Sequence, residues 1–104
     1  MKTIVIQTTC ANKKEAESIA KLLIEQNLAA CVQMSDIESF YKWKDEFCND
    51  KEVLLSIKTK KENFKNIKSK IKELHSYDVP EIIAVNIDKL SKDYKKFIAK
   101  TCKS

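Results

Sequence analysis

Three residues of this chain have the chemistry of metal ligands: Cys31, His75 and Glu81. His75 is the only histidine, and a neutral imidazole binds copper and, second to it, zinc. Cys31 would supply a thiolate and Glu81 an oxygen ligand. A specific site needs three or four ligands converging at about 2.0–2.3 Å, which the spacing of these residues does not guarantee. The structural interpretation is the default, since a cysteine on a strand is usually buried and a histidine ending a helix interacts with the helix dipole.

The remaining cysteines are Cys10, Cys48 and Cys102, which we place in a first loop, a hairpin loop and the tail and expect to be more exposed. No two cysteines form a C-x-x-C pair, so neither a zinc knuckle nor a thioredoxin-like motif is present. Residues 1–7 lead directly into a strand-like pattern without the layout of a signal peptide. We therefore predict a cytoplasmic protein whose cysteines are thiols.

Length and composition predict one domain spanning residues 1–104, with 43% hydrophobic and 34% charged residues. No apolar run approaches the roughly 20 residues of a membrane helix. The net charge is +5, yet all 20 basic residues are lysines, whereas bidentate readout of guanine favours arginine. The lysines are interpreted as solvated faces, and neither a nucleic-acid nor a membrane partner is predicted.

The chain contains no glycine, which excludes the glycine-rich loops that bind phosphate groups. Turns with positive φ must then fall to asparagine and aspartate, for which we select Asn27, Asn49-Asp50 and Asp78. With one histidine and no glycine-flanked serine, no nucleophile has an evident base. We predict a protein that is not an enzyme and requires no cofactor.

The first half of the chain predicts a strand over residues 3–9, where β-branched side chains alternate. Asn12 with Glu15 fits a capping box at the start of a helix, and Asn27 fits a left-handed end to it. The helix has an apolar face: Ala16, Ile19, Ala20, Leu23 and Ile24. A long strand over residues 29–43 and a third over 51–59 should form a hairpin, joined by the polar residues 45–50.

In the second half, Thr59 and Glu62 suggest another capping box before a helix with a buried stripe of Phe64, Ile67, Ile71 and Leu74. Residues 82–88 form the fourth predicted strand. Ser91 can then cap a short last helix that carries Tyr94, Phe97 and Ile98.

The resulting order is βαββαβ plus a short C-terminal helix, an α/β (α+β) chain with the ferredoxin-like arrangement and a long β-hairpin. Two helices cover one face of the sheet. The third strand nevertheless has apolar residues on both sides, Val53, Leu55 and Ile57 on one and Leu54 on the other. A sheet that is apolar on both faces needs a partner, so the pattern predicts an oligomer.

Four segments, in order, resemble the CutA family of divalent-cation tolerance proteins. They are Ala29-Ala30-Cys31-Val32, Ser39-x-Tyr41-x-Trp43, the strand from Glu52 to Thr59, and His75-x-Tyr77-x-x-Pro80-Glu81-Ile82-Ile83. The resemblance extends from Ile4 to about Phe97. One departure is in the hairpin, where Lys44 and Asp45 follow the tryptophan and the family usually has a glycine.

The resemblance implies a homotrimer in which long hairpins reach across to neighbouring subunits, and a role in tolerance of divalent metal ions. Copper binding through Cys31 and His75 is one implied chemistry, to which Glu81 would add the oxygen ligand considered above. CutA trimers also look like PII-type signalling trimers, which implies an intersubunit cleft for a small effector, lined by Tyr41, Trp43, Lys58 and Tyr77 with His75 and Glu81. The aromatic residues suit interface core equally well. A sensor with that ligand and a trimeric scaffold without one are the two alternatives.

Overall fold

A computed structural model describes residues 1–103, in which strands and helices alternate as the sequence predicts. The elements are β1 Thr3–Cys10, α1 Lys13–Glu25, β2 Cys31–Trp43, β3 Glu46–Lys60, a 3₁₀ turn Lys61–Asn63, α2 Phe64–Leu74, β4 Ile83–Asn86 and α3 Lys92–Thr101. The strands form one sheet in the order β2-β3-β1-β4, with antiparallel pairing between all neighbours. This confirms the ferredoxin-like βαββαβ fold with its long hairpin and terminal helix.

One face of the sheet forms the main core with α1 and α2. Ile6 of β1 pairs with Ile57 of β3, and both are fully buried. The helices contribute the buried residues Ala16, Ile19, Leu23, Ile67 and Ile71. Burial of each such aliphatic side chain favours folding by about 1.5–3 kcal/mol before entropic costs. The ends of the predicted helix stripes differ from expectation, because Ile24, Leu74 and Phe97 are exposed.

The opposite face carries fewer apolar groups and is more accessible. Register places Val5 beside Val85, and Gln7 beside Ile83, with Leu54 next to Thr9. Ile83 and Val85 are exposed by 46% and 54%. We call this surface, defined by Val5, Leu54, Ile83 and Val85, the open face of the sheet.

The hairpin is longer than predicted, because its strands continue to the tip. Residues 46–50, expected to be a polar connection, belong to β3, and only Lys44 and Asp45 form the turn. Both have positive φ, 50° and 64°, the combination that a two-residue type I′ hairpin turn needs. Of the predicted positive-φ positions only Asn27 is confirmed, with φ 57°; those at Asn49-Asp50 and Asp78 are wrong.

The helix caps are confirmed in part. The side chains of Asn12 and Ser91 accept hydrogen bonds from the N–H groups of Glu15 and Tyr94, as expected. The capping box at Thr59 is wrong: Thr59 lies within β3, and its hydroxyl donates to the Leu28 carbonyl at 2.6 Å.

No helix among residues 1–103 combines the length and apolar character required to cross a membrane.

Candidate functional site

A cavity of about 670 Å³ lies where the β2–β3 hairpin extends beyond the end of β1. One wall belongs to the hairpin, and the other is the loop after α2. Its lining residues are Thr9, Ser39, Phe40, Tyr41, Trp43, Glu52, Ser76, Tyr77, Asp78, Val79 and Glu81. A volume of this size is typical of small-molecule sites. The cavity therefore joins three predicted cleft residues, Tyr41, Trp43 and Tyr77, with Glu81.

The hairpin wall presents aromatic surface because strand side chains alternate between the two faces. Tyr41 and Trp43 are two residues apart on β2 and therefore point to the same side. Their side chains remain accessible, with 42% and 45% of the residue surface exposed. Tyr41 donates a hydrogen bond to the Asp50 carboxylate on β3, which holds its ring against the hairpin.

A hydrogen bond between Tyr77 and Glu52 joins the two walls. The Tyr77 hydroxyl donates to Glu52 Oε2 at 2.7 Å. Glu52 is buried, with only 8% of its surface exposed to solvent. Burial, followed by this bond to a carboxylate, raises the pKa of Tyr77. The Asp50 bond, followed by desolvation and the charge of Asp50, raises the pKa of Tyr41 to about 12. Both phenols thus stay protonated and donate towards acidic groups at neutral pH.

His75 holds the loop after α2, which forms the second wall of the cavity, in place through its contacts with Thr9 and Tyr77. Its imidazole is fully buried, with Nε2 2.6 Å from the Thr9 carbonyl oxygen, so that Nε2 must be the donor. Nδ1 accepts from the Tyr77 N–H at 3.1 Å and lies 3.4 Å from Glu15 Oε1. Both ring nitrogens are therefore occupied by protein groups. This arrangement corresponds to the structural interpretation of His75 and leaves no nitrogen lone pair directed at a metal.

Glu15 is the second anchor of this loop. The predicted capping box is corrected here, since the Glu15 carboxylate turns to Ser76 and accepts from its N–H at 2.8 Å and its hydroxyl at 3.0 Å. Nothing in the sequence pattern links Glu15 with Ser76, which are 61 residues apart. The loop after α2 is thus tied to both α1 and β1.

The three predicted metal ligands do not converge within one subunit. Cys31 pairs with Lys58 of β3, whereas Thr9, the partner of His75, pairs with Leu54. These two positions are four residues apart along β3, about 13 Å. Glu81 lines the cavity, but His75 and Cys31 do not. Across residues 1–103, no group of three or more His, Cys, Asp or Glu side chains could hold a metal ion.

Lys58 does not line this cavity of the single subunit, and its place in an intersubunit cleft stays a prediction. Its Nζ donates to Gln33 Oε1 at 2.8 Å and lies 5.6 Å from the centroid of the Tyr94 ring. Cys31 approaches the same tyrosine. Desolvation, then the neighbouring Cys31, raises the pKa of Tyr94. Cys31, Lys58 and Tyr94 thus form a separate group near the start of β2.

The other cysteines are less exposed than predicted. Cys10 ends β1 fully buried, Cys102 is buried after α3, and Cys48 is half-buried on β3. Burial, then the charges of Glu15 and Glu52, raises the pKa of Cys10 to about 11. A thiol in this environment is protonated at neutral pH and is a poor metal ligand.

Sequence reasoning missed the acidic residues of the cavity, Glu52 and Asp78, as well as the anchor Glu15. Glu52 had one usable signal, since it is a charged residue at the start of the apolar run 53–55 of a predicted strand. Such a charged residue lies either at the exposed edge of the sheet or in a buried position where its charge has a functional role. Asp78 had none, because a loop aspartate is most simply interpreted as a turn residue.

The chain matches the family model described as "CutA1 divalent ion tolerance protein" over residues 4–101. It is 36% identical over 100 residues to the divalent-cation tolerance protein CutA of Pyrococcus horikoshii, covering 96% of this chain and 98% of that protein. The CutA of Thermus thermophilus is 40% identical over 91 residues, covering 86% and 88% of the two chains.

Solved structures agree with these matches. CutA1 from Oryza sativa superposes with a TM-score of 0.95 at 34% identity, covering 99% of this chain and 95% of the other. A protein from Archaeoglobus fulgidus, described as a periplasmic divalent cation tolerance protein CutA, superposes with a TM-score of 0.93 at 35% identity, covering 95% and 97%.

Proposed function

The chain belongs to the CutA1 divalent ion tolerance family, and we propose that it acts in divalent-cation tolerance as a non-enzymatic homotrimer that binds a small ligand in the hairpin cavity. The observation that carries this proposal is the cavity itself, with aromatic residues on one wall and an anchored loop on the other. The proposed function thus joins the role of the family in cation tolerance with the small-ligand sensor that the sequence analysis gave as an alternative.

Support for the trimer comes from the surfaces that one subunit leaves accessible. The open face exposes Ile83 and Val85, and the hairpin exposes Phe40 and Phe47, each by 67%. The two phenylalanine rings stack with centroids 6.3 Å apart, which forms a flat apolar patch on the projecting hairpin. A second copy is the proposed occupant of these surfaces, since the hairpin extends well beyond its own sheet and reaches outward.

The non-enzymatic role is supported by the state of His75. The imidazole is the most versatile acid–base group at neutral pH, and here both nitrogens make structural contacts. Within residues 1–103, no lysine or cysteine lines the cavity. The proposed activity is therefore binding, with the information passed on through the hairpin or the loop.

Direct binding of copper or, second to it, zinc is the other candidate function. Its specific support is Cys31, a half-buried thiol close to the open face, where copies of the thiol from neighbouring subunits could approach one another. The residues of one subunit do not fit a metal site, so any such site would need several subunits. The family name refers to tolerance of divalent ions and does not specify copper.

Native mass spectrometry of the full chain, with and without copper or zinc, tests the proposed trimer and the metal-binding candidate. A trimer without defined metal uptake is the expected result. A fixed number of ions per trimer, lost in Cys31→Ser, would instead favour the metal-binding candidate. A monomer would contradict the proposed assembly.

A further inference from the structure

The charge of the hairpin cavity differs in sign from that of the whole protein. The chain carries 20 lysines and a net charge of +5, yet the lining includes Glu52, Asp78 and Glu81 and no basic residue of the part of the chain that the structure describes. With lysines making up about a fifth of the chain, an acidic lining of this size is a local feature of the site. Negative charge in a concave, partly desolvated space attracts cations more strongly than the same charge on an open surface.

Glu52 is the most informative of these carboxylates. It is more than nine-tenths buried, and its only identified partner among residues 1–103 is the Tyr77 hydroxyl. No lysine of residues 1–103 forms an ion pair with Glu52. A carboxylate buried without a counter-ion is costly, which favours a positive group supplied from outside the subunit.

The aromatic residues define what kind of cation would fit. Tyr41, Trp43 and Tyr77 line the same cavity, and the faces of such rings attract ammonium groups, most strongly for tryptophan. A bare metal ion fits poorly, because the carboxylates do not group closely enough to coordinate one. The volume of about 670 Å³ also far exceeds that of an ion with its ligands.

We propose that the hairpin cavity binds a small organic ammonium ion, with Trp43 and the two tyrosines against its apolar body and Glu52 and Glu81 as counter-charges. This inference rests on the proposed ligand-binding function and specifies its ligand class. A lysine from a neighbouring subunit could supply the same charge, and the test distinguishes that case.

Trp43 provides the measurement, since it is the only tryptophan of the chain and lines the cavity. The assembled protein is titrated at constant ionic strength with three probes of similar size: tetramethylammonium (cationic), tert-butanol (neutral) and pivalate (anionic). We expect a saturable change in Trp43 fluorescence with tetramethylammonium only. Glu52→Gln retains an acceptor for Tyr77 and should weaken binding about tenfold or more. Glu81→Gln, at an exposed position, should weaken it as well, while Glu25→Gln on α1 should not.

If pivalate or tert-butanol binds saturably and tetramethylammonium does not bind, the cation inference is overturned, and the cavity remains a ligand site. Equal binding of tetramethylammonium to wild type, Glu52→Gln and Glu81→Gln would overturn it too. If no probe changes the signal, the cavity is filled by the assembly, and both the inference and the ligand-binding function fail.

Discussion

His75 Nε2 donates to the Thr9 carbonyl oxygen at 2.6 Å, which joins the end of α2 to the end of β1. Since Nδ1 of the same ring accepts from the Tyr77 N–H, one buried imidazole sets the position of the loop that forms a cavity wall. The only histidine of the chain is thus a fixed link between the core and the candidate site.

Removing the imidazole should destabilise the fold. His75→Ala leaves the Thr9 carbonyl and the Tyr77 N–H without their partner, at an expected cost of about 1–3 kcal/mol in the free energy of unfolding. His75→Gln can still donate from a similar position and should lose less. Urea denaturation measures both, with the exposed Glu73→Ala as control. Equal stability of His75→Ala and Glu73→Ala would argue against the link.

Glu15 should control the order of the loop without forming the cavity itself. Glu15→Ala removes the acceptor of the Ser76 N–H and hydroxyl, so the Ser76 amide should exchange with solvent at least about tenfold faster. Hydrogen exchange followed by NMR tests this, with Glu25→Ala on the same helix as the matched control. Unchanged exchange at Ser76 would show that the loop is held by other contacts.

The hairpin turn should accept glycine readily. Asp45 has φ 64°, a conformation that strains residues with a side chain, so Asp45→Gly should stabilise the protein by roughly 0.5–1 kcal/mol. Lys51→Gly, at an exposed extended position of β3, should have the opposite effect because glycine weakens strands. Thermal unfolding of the two variants decides this, and a loss of stability in both would contradict the assigned turn.

Tyr41 should make stability fall at alkaline pH. Its pKa is raised from 10.0 to about 12 in the folded chain. The protonated Tyr41 phenol therefore contributes fully to the free energy of unfolding below about pH 10, and this contribution is lost as the pH rises through 12. Asp50→Asn removes the main cause and should lower the pKa of Tyr41, measurable by ultraviolet titration of the phenol. Asp88→Asn, after β4, should leave that titration unchanged.

The open face should carry the subunit contact of the proposed trimer. Val85→Lys places a charge on it and should shift the protein to monomers in native mass spectrometry. Ile24→Lys changes an equally apolar exposed residue on α1, over the other face, and should leave the assembly intact. A trimer that survives Val85→Lys but not Ile24→Lys would place the interface on the helices.

The order of the elements and the family could be predicted from the sequence, because both depend on local patterns. Alternation in residues 3–9, the helical spacing from Ala16 to Leu23 and the Asn27 stop each act over a few residues. Errors occurred at element ends. Residues 46–50 were assigned to a loop because they are polar, but cross-strand pairing continues the hairpin past them, with Lys44 and Asp45 adopting the turn that glycine usually provides.

The candidate site was predicted only in part, because it depends on contacts between residues distant in sequence. Tyr41, Trp43, Tyr77 and Glu81 were identified through motifs, and the fold does bring them to one cavity. Lys58 was separated from them by strand register, which no local pattern encodes. The buried position of Glu52 and the capture of Ser76 by Glu15 arise only when α1, β1 and the loop after α2 meet. Sequence thus determined which side chains were available, and tertiary packing decided which of them share a site, since long-range distances follow from strand register and helix packing rather than from spacing along the chain.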